Sequence, residues 1–113
     1  MDDRKRPLFM ISVVCDMFHI HPQTLRLYER EGFLHPQRVG KARLYSQEDL
    51  ERIRFILGLT KNLGVNRAGV DIILRMRNRF EAMNKEMDEM MSHLEKDIRK
   101  EFEKRIREVF EEE

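Results

Sequence analysis

The chain of 113 residues contains no tryptophan, one cysteine, three prolines and five glycines. A single thiol excludes an internal disulfide framework and fits a reducing compartment, so a cytoplasmic location is expected. No apolar run approaches the roughly 18 residues of a membrane span. The opening MDDRKRPLFMISVV sets charges before apolar residues, but Asp16 ends the run and no small-residue cleavage site follows, so no signal peptide is expected. Proline and glycine are missing altogether after Gly69, which divides a punctuated head from an uninterrupted tail of 44 positions.

The chain is rich in charge, 38% against 41% hydrophobic residues, too apolar for a disordered segment. The net charge of +1 hides an uneven distribution. Residues 1–45 hold eight Lys/Arg against five Asp/Glu, with three of the four histidines; residues 78–113 hold eight against twelve. A mildly basic head beside an acidic tail points to an anionic partner for the head.

Within the head, Ser12 is the expected cap of a first helix reaching Phe18, with Val13, Val14 and Met17 on one side. After His19–Ile20–His21, Pro22 suits the first turn of a second helix that reaches about Glu31 and stops at a left-handed Gly32. Two short helices joined by so tight a turn read as helix-turn-helix. Phe33–Leu34 and Arg43–Leu44–Tyr45 are expected as short strands around a Gly40 hairpin loop, with Arg38, Lys41 and Arg43 on the loop side. Ser46 to Asp49 resembles a capping box opening a third helix, about Gln47 to Leu63, with Leu50, Ile53, Ile56, Leu57 and Leu63 at helical spacing. Gly64 ends it, and Asn66 can cap a fourth helix whose apolar face includes Val70, Ile73 and Leu74.

In the tail, Met76, Phe80, Met83, Met87, Met90 and Leu94 follow a 4-3-4-3-4 spacing, the signature of a coiled-coil seam. Beyond Leu94 the spacing becomes 4-4-4-4 through Ile98, Phe102, Ile106 and Phe110, a change of register resembling a stutter. One helix of about 30 residues is expected, or two stacked pieces broken near Ser92–His93. Such a stripe is too long for a head of this size to cover, so a second copy of the chain is expected against Phe80, Met83, Met87, Met90, Leu94 and Ile98. The expected divisions are an N-terminal arm, 1–10, a DNA-binding head, 11–75, and a dimerisation helix with acidic tail, 76–113.

On a helical wheel at 100° per residue, Gln23, Arg26, Leu27 and Arg30 occupy an arc of about 100°, while Leu25 and Tyr28 lie opposite. A face with an amide, two guanidinium groups and one apolar side chain suits the DNA major groove. Gln can pair with adenine, Arg with guanine or phosphate, and an apolar group can meet a thymine methyl. Arg38, Lys41 and Arg43 would add phosphate contacts that position the protein. By itself this face is equally an ordinary solvated basic one; the order of elements distinguishes the two.

That order, with TLRLYEREGFL at Thr24 to Leu34, ARLYSQEDLERIRFI at Ala42 to Ile56 and LGVNRAGVDIIL at Leu63 to Leu74, resembles the MerR family of bacterial transcriptional regulators. His21-Pro22-Gln23, Leu27 and LGVNRAGV are most similar to its heat-shock repressor (HspR-like) branch. The resemblance implies a mainly α protein: a winged helix-turn-helix head with a short β-hairpin wing, then a long C-terminal dimerisation helix forming an antiparallel coiled coil in the dimer. It implies repression of chaperone operons from inverted-repeat operators, with a DnaK-type chaperone as corepressor. Carried over by position, Arg26 matches the recognition-helix arginine, Tyr28 an aromatic phosphate contact and Arg43 the wing arginine; Gln23, Thr24, Leu27, Arg30, Arg38, Lys41 and Tyr45 complete the expected DNA-facing set. Ala42 stands where the family has a wing tyrosine, and Leu27 removes another hydroxyl.

No cofactor, metal or catalytic activity is expected. Cys15 is read as a small buried residue, with a reactive thiol as the alternative; His19 and His21 lie in a turn, and His35 and His93 are isolated. Two other readings stand beside the repressor: a regulator of other genes, activator or repressor, and a coiled-coil adaptor whose basic head meets an acidic protein.

Overall fold

A computed structural model describes residues 3–111. After a short 3₁₀ turn, Asp3–Lys5, the order is β1 (Phe9–Met10), α1 (Ile11–Phe18), α2 (Pro22–Arg30), β2 (Gln37–Val39), β3 (Ala42–Tyr45), α3 (Gln47–Leu57), a π-helical turn (Gly58–Asn62) and α4 (Arg67–Glu111). The chain divides into two compact units, Met1–Leu74 and Arg75–Glu113.

In the first unit the helices are started and stopped by local chemistry. α1 has no side-chain cap: Met10, extended, holds the cap position and Ser12 lies inside the first turn. The expected buried side of α1 is also corrected. Ile11, Val14, Cys15 and Phe18 form the inward stripe, at i, i+3, i+4 and i+7, whereas Val13 and Met17 are exposed. His19 ends α1 in the left-handed region, φ 54°, which histidine adopts more readily than most side chains.

α2 begins on His21, whose Nδ1 accepts from the Gln23 N–H at 3.0 Å, with Pro22 in the first turn. At its other end Gly32, φ 80°, donates its N–H to the Glu29 carbonyl at 3.1 Å, and Phe33 donates to the Tyr28 carbonyl at 2.8 Å. Those paired bonds are a Schellman cap, completed by the contact of the Tyr28 and Phe33 rings, 6.1 Å between centroids.

Phe33 and Leu34 are therefore not the expected strand. They are buried as the apolar anchor of that cap, and the hairpin is built one step later from Gln37–Val39 and Ala42–Tyr45 around Gly40 and Lys41. β2 is exposed throughout, so it carries none of the apolar alternation by which a strand is read from sequence. A third strand, missed in sequence, joins the sheet: Phe9 pairs with Tyr45 and Met10 with Leu44, giving the order β1-β3-β2, all antiparallel. Part of the expected N-terminal arm is thus an edge of the wing sheet.

α3 opens with the anticipated capping box: the Asp49 N–H donates to Ser46 Oγ at 3.1 Å and the Ser46 N–H to Asp49 Oδ2 at 2.9 Å. It ends earlier than expected. Through Gly58–Asn62 the chain takes a wider turn, closed by the Leu63 N–H on the Gly58 carbonyl at 3.2 Å. The extra residue per turn rotates Leu63 away from the Ile53–Ile56 face, and Leu63 is 72% exposed. Gly64, φ 65°, reverses the chain, and Asn66 Oδ1 accepts from the Gly69 N–H at 2.9 Å to start α4. A Cβ on Gly69 would come within 2.7 Å of Val65 Cγ1, so only glycine fits there without a shift. Val14, Leu25, Leu34, Tyr45, Ile53, Ile56 and Val70 are fully buried at the centre of this unit.

In the second unit one helix runs without interruption. α4 spans 45 residues in all, so the expected fourth helix and tail helix are a single element, with no break at Ser92–His93. From Arg75 to Glu111 no residue of this single chain is buried.

Candidate nucleic-acid interface

The second helix presents the face its wheel predicts. Gln23, Arg26 and Arg30 are exposed, Thr24 and Leu27 are half-buried, and Leu25 is sealed in the core. The caps at both ends fix this face: His21 and Pro22 set the direction of entry, and the Gly32–Phe33 cap anchors the exit. Two contacts hold the exit further. Arg52 Nε donates to the Phe33 carbonyl at 2.5 Å, and Arg67 pairs with Glu31 at 3.1 Å.

The wing is joined to α2 by an acid of that helix, Glu29. Glu29 Oε2 lies 2.7 Å from Arg43 Nε, and Oε1 lies 3.8 Å from Arg38 Nη2. The Arg43 Nε atom is buried, and its N–H does not point along a hydrogen bond, so this contact is an ion pair by distance. Arg43 is therefore half-buried and engaged, whereas Lys41 and Arg38 are exposed at the hairpin. The signal for Glu29 was present: it is the only acid between Met17 and Arg30, one turn beyond Arg26, and β3 has an arginine to meet it.

Two of the expected DNA-facing residues are buried. Tyr45 is 0% exposed and lies in the core, paired across the sheet with Phe9. Arg43 and Tyr45 share one face of β3, a strand that meets α1 and, through Arg43, Glu29 of α2. Burial raises the Tyr45 phenol above its ordinary 10.0, Glu29 adds to the rise and Arg43 opposes it. Tyr28 is 6% exposed, its ring committed to Phe33, so it offers little surface to a ligand.

Cys15 is buried on α1. Burial first, then the Asp16 carboxylate, raises its thiol above 9.0, while Arg26 opposes them; the thiol form is favoured, contrary to a reactive thiolate. Among the described residues no group of His, Cys, Asp or Glu side chains is arranged to hold a metal ion, and no helix is long and apolar enough to cross a membrane.

Residues 9–77 match the model of the MerR HTH family regulatory proteins. The heat shock protein HspR of Streptomyces coelicolor is 33% identical over 105 positions, covering 84% of this chain and 70% of that protein. The HTH-type transcriptional regulator GlnR of Bacillus anthracis is 34% identical over 84 positions, 73% of this chain and 64% of that one. The mercuric resistance operon regulatory protein of Bacillus cereus is 33% identical over 81 positions, 70% of this chain and 61% of its own length. The capped second helix, the small antiparallel wing and the long helix after them agree with these matches: the chain belongs to the MerR family of helix-turn-helix transcriptional regulators, and within it is HspR-like.

Proposed function

We propose that this regulator is a homodimeric repressor of chaperone and heat-shock genes that reads an inverted-repeat operator. The observation that carries the reading is the outward face of α2, where Gln23, Arg26 and Arg30 are exposed around Leu27 with no acid among them. Thr24 sits at the start of that face, and Arg38 and Lys41 reach the adjacent phosphates from the hairpin. Arg43 contributes from beneath, through Glu29, and Tyr28 and Tyr45 are dropped from the DNA-facing set. Similarity to a protein named for heat shock supports the class of target genes.

Dimerisation places one α2 in each of two successive major-groove segments, so a two-fold protein reads a two-fold site. The support is the exposed apolar stripe of α4, through Phe80, Met83, Met87, Met90, Leu94 and Ile98, which water alone does not stabilise. A DnaK-type chaperone is the proposed corepressor; adding one is expected to tighten operator binding. Equal affinity with and without it would remove the corepressor and leave the repressor standing.

Selection from a random duplex library tests the reading. Enrichment of one two-fold symmetric sequence is expected, with affinity falling steeply as salt rises. No enrichment would favour the adaptor. The GlnR and mercuric-resistance relatives favour a regulator of other genes. Recovery of bound chromosomal fragments decides between them: chaperone promoters support the proposal, and their absence among the bound promoters overturns it.

A further inference from the structure

The hairpin sets two arginines directly opposite one another. Arg38 and Arg43 are cross-strand partners in the β2–β3 register, so their side chains stand on one face of the sheet. Like charges in that position repel and weaken a strand pair. The repulsion is met by one carboxylate from another element. Glu29 of α2 lies 2.7 Å from Arg43 Nε through Oε2 and 3.8 Å from Arg38 Nη2 through Oε1.

The hairpin tip is not held by apolar packing: Val39, Gly40, Lys41 and Ala42 are all exposed. Among the described residues, the ion pairs of the two hairpin arginines both end on Glu29. The Arg43 and Glu29 side chains are only 27% and 25% exposed, so water and salt screen this pair less than they screen Arg38, whose side chain is 57% exposed. The close contact is the inner one. The loose contact leaves Arg38 open to a second anion.

The place of Glu29 on α2 matters as much. It follows Arg26 by three residues and precedes Arg30 by one. At 100° per residue it sits about 60° round the helix from Arg26, at the edge of the outward face. One side chain thus connects the helix that presents Gln23, Arg26 and Arg30 to the strand pair that presents Arg38 and Lys41. Phosphate contacts fix register and base contacts read sequence. The two serve together only where the distance between them is constant.

We propose that Glu29 is a positioning residue for sequence reading, coupling the phosphate contacts of the hairpin to the base contacts of α2 through its ion pair with Arg43. The proposal rests on the DNA reading above and adds to it a determinant of specificity that need not touch a base.

Two opposite changes of charge test this. Glu29→Gln removes an acid, Arg43→Gln removes a base, and each breaks the same ion pair. Affinities are measured by fluorescence anisotropy at fixed salt, for the sequence selected from the random library and for a random duplex, with circular dichroism on each variant. Random-duplex affinity follows the balance of charge, so it should rise for Glu29→Gln and fall for Arg43→Gln. The ratio of selected to random affinity should fall in both, roughly tenfold, within the range for one well-placed base contact. The double variant should lose no more of that ratio than either single, as when two residues act through one interaction. Ratios that move in opposite directions, or losses that multiply in the double variant, would overturn the role and leave two independent charges. An unchanged ratio in both singles, from a parent that discriminates, would overturn it too. Loss of helix content in both singles would make the pair a part of the fold and overturn a role in reading. A parent with equal affinity for both duplexes would overturn the DNA reading itself, and this role with it.

Discussion

In the head, Leu25, Ile53 and Val70 are sealed from water; along α4 past Leu74, side chains just as apolar lie open to it. The head sets the ends of α2, α3 and α4 with specific devices: His21 and Pro22, Gly32 with Phe33, Ser46 with Asp49, Gly64 and Asn66. The second unit has none of these between Arg75 and Glu111, only a periodic stripe. Local punctuation suits a unit that buries its apolar groups within one chain. A long unpunctuated stripe suits one that buries them against another. The same difference separates what a single copy can stabilise from what depends on concentration.

The largest effect should come from attacking the second unit alone. Met83→Asp combined with Met87→Asp places carboxylates in the proposed seam, where burial of each ion costs several kcal/mol. Sedimentation should then show a monomer, with helix content reduced and the core of the head retained. A dimer of unchanged strength would break the comparison. Ile53→Ala is the converse attack. It opens a cavity in the head core and should cost about 2–5 kcal/mol in urea unfolding, whereas a cost within the range of surface substitutions would show that the head does not hold itself together.

How far the two units were legible from sequence follows from how they are built. The caps were readable because each depends on side chains within a few residues: Ser46 with Asp49, Asn66 with Gly69, Gly32 at the end of α2. The heptad stripe was readable because one helix repeats itself. Three features were not. β1 is two residues long and owes its existence to pairing with β3, some 35 positions away. The phase of α1 was ambiguous, since Val13, Val14, Cys15 and Met17 are all apolar and only packing chooses Val14 and Cys15. Leu63 was displaced by a single wide turn at Gly58–Asn62, which no periodicity announces. In the interface, Gln23, Arg26 and Arg30 were readable from the wheel. Glu29 was missed as the acid joining Arg43 and Arg38 because its partners come from the hairpin. Tyr45 was misplaced because motif position says nothing about which side of β3 it takes.

Smaller effects sharpen the account of the head. Ser46→Ala removes one half of the capping box and should cost about 0.5–2 kcal/mol, read as a lowered urea midpoint at unchanged slope; an unchanged midpoint would show that α3 does not need its cap. Tyr45→Phe should have the least effect near neutral pH, because the buried hydroxyl makes no hydrogen bond among the described residues. At alkaline pH it should matter. The phenol is raised above 10.0 in the fold, so its contribution is fully present below that value and is lost as pH rises through the folded value. Parent stability should therefore fall above pH 10 with a slope that Tyr45→Phe reduces. Equal slopes for parent and variant would mean that Tyr45 is not the buried group described. Operator affinity should be the same for both, since Tyr45 lies in the core.

The most direct test of the central claim is operator affinity of Arg26→Ala, measured by fluorescence anisotropy at fixed salt beside sedimentation and circular dichroism. Arg26 is exposed on α2, so the dimer and the helix content should match the parent. Losing a base-reading arginine should weaken binding by about 1–3 kcal/mol, roughly 5- to 150-fold. Parent-like affinity in a folded dimer would contradict the assignment of α2 as the helix that reads DNA.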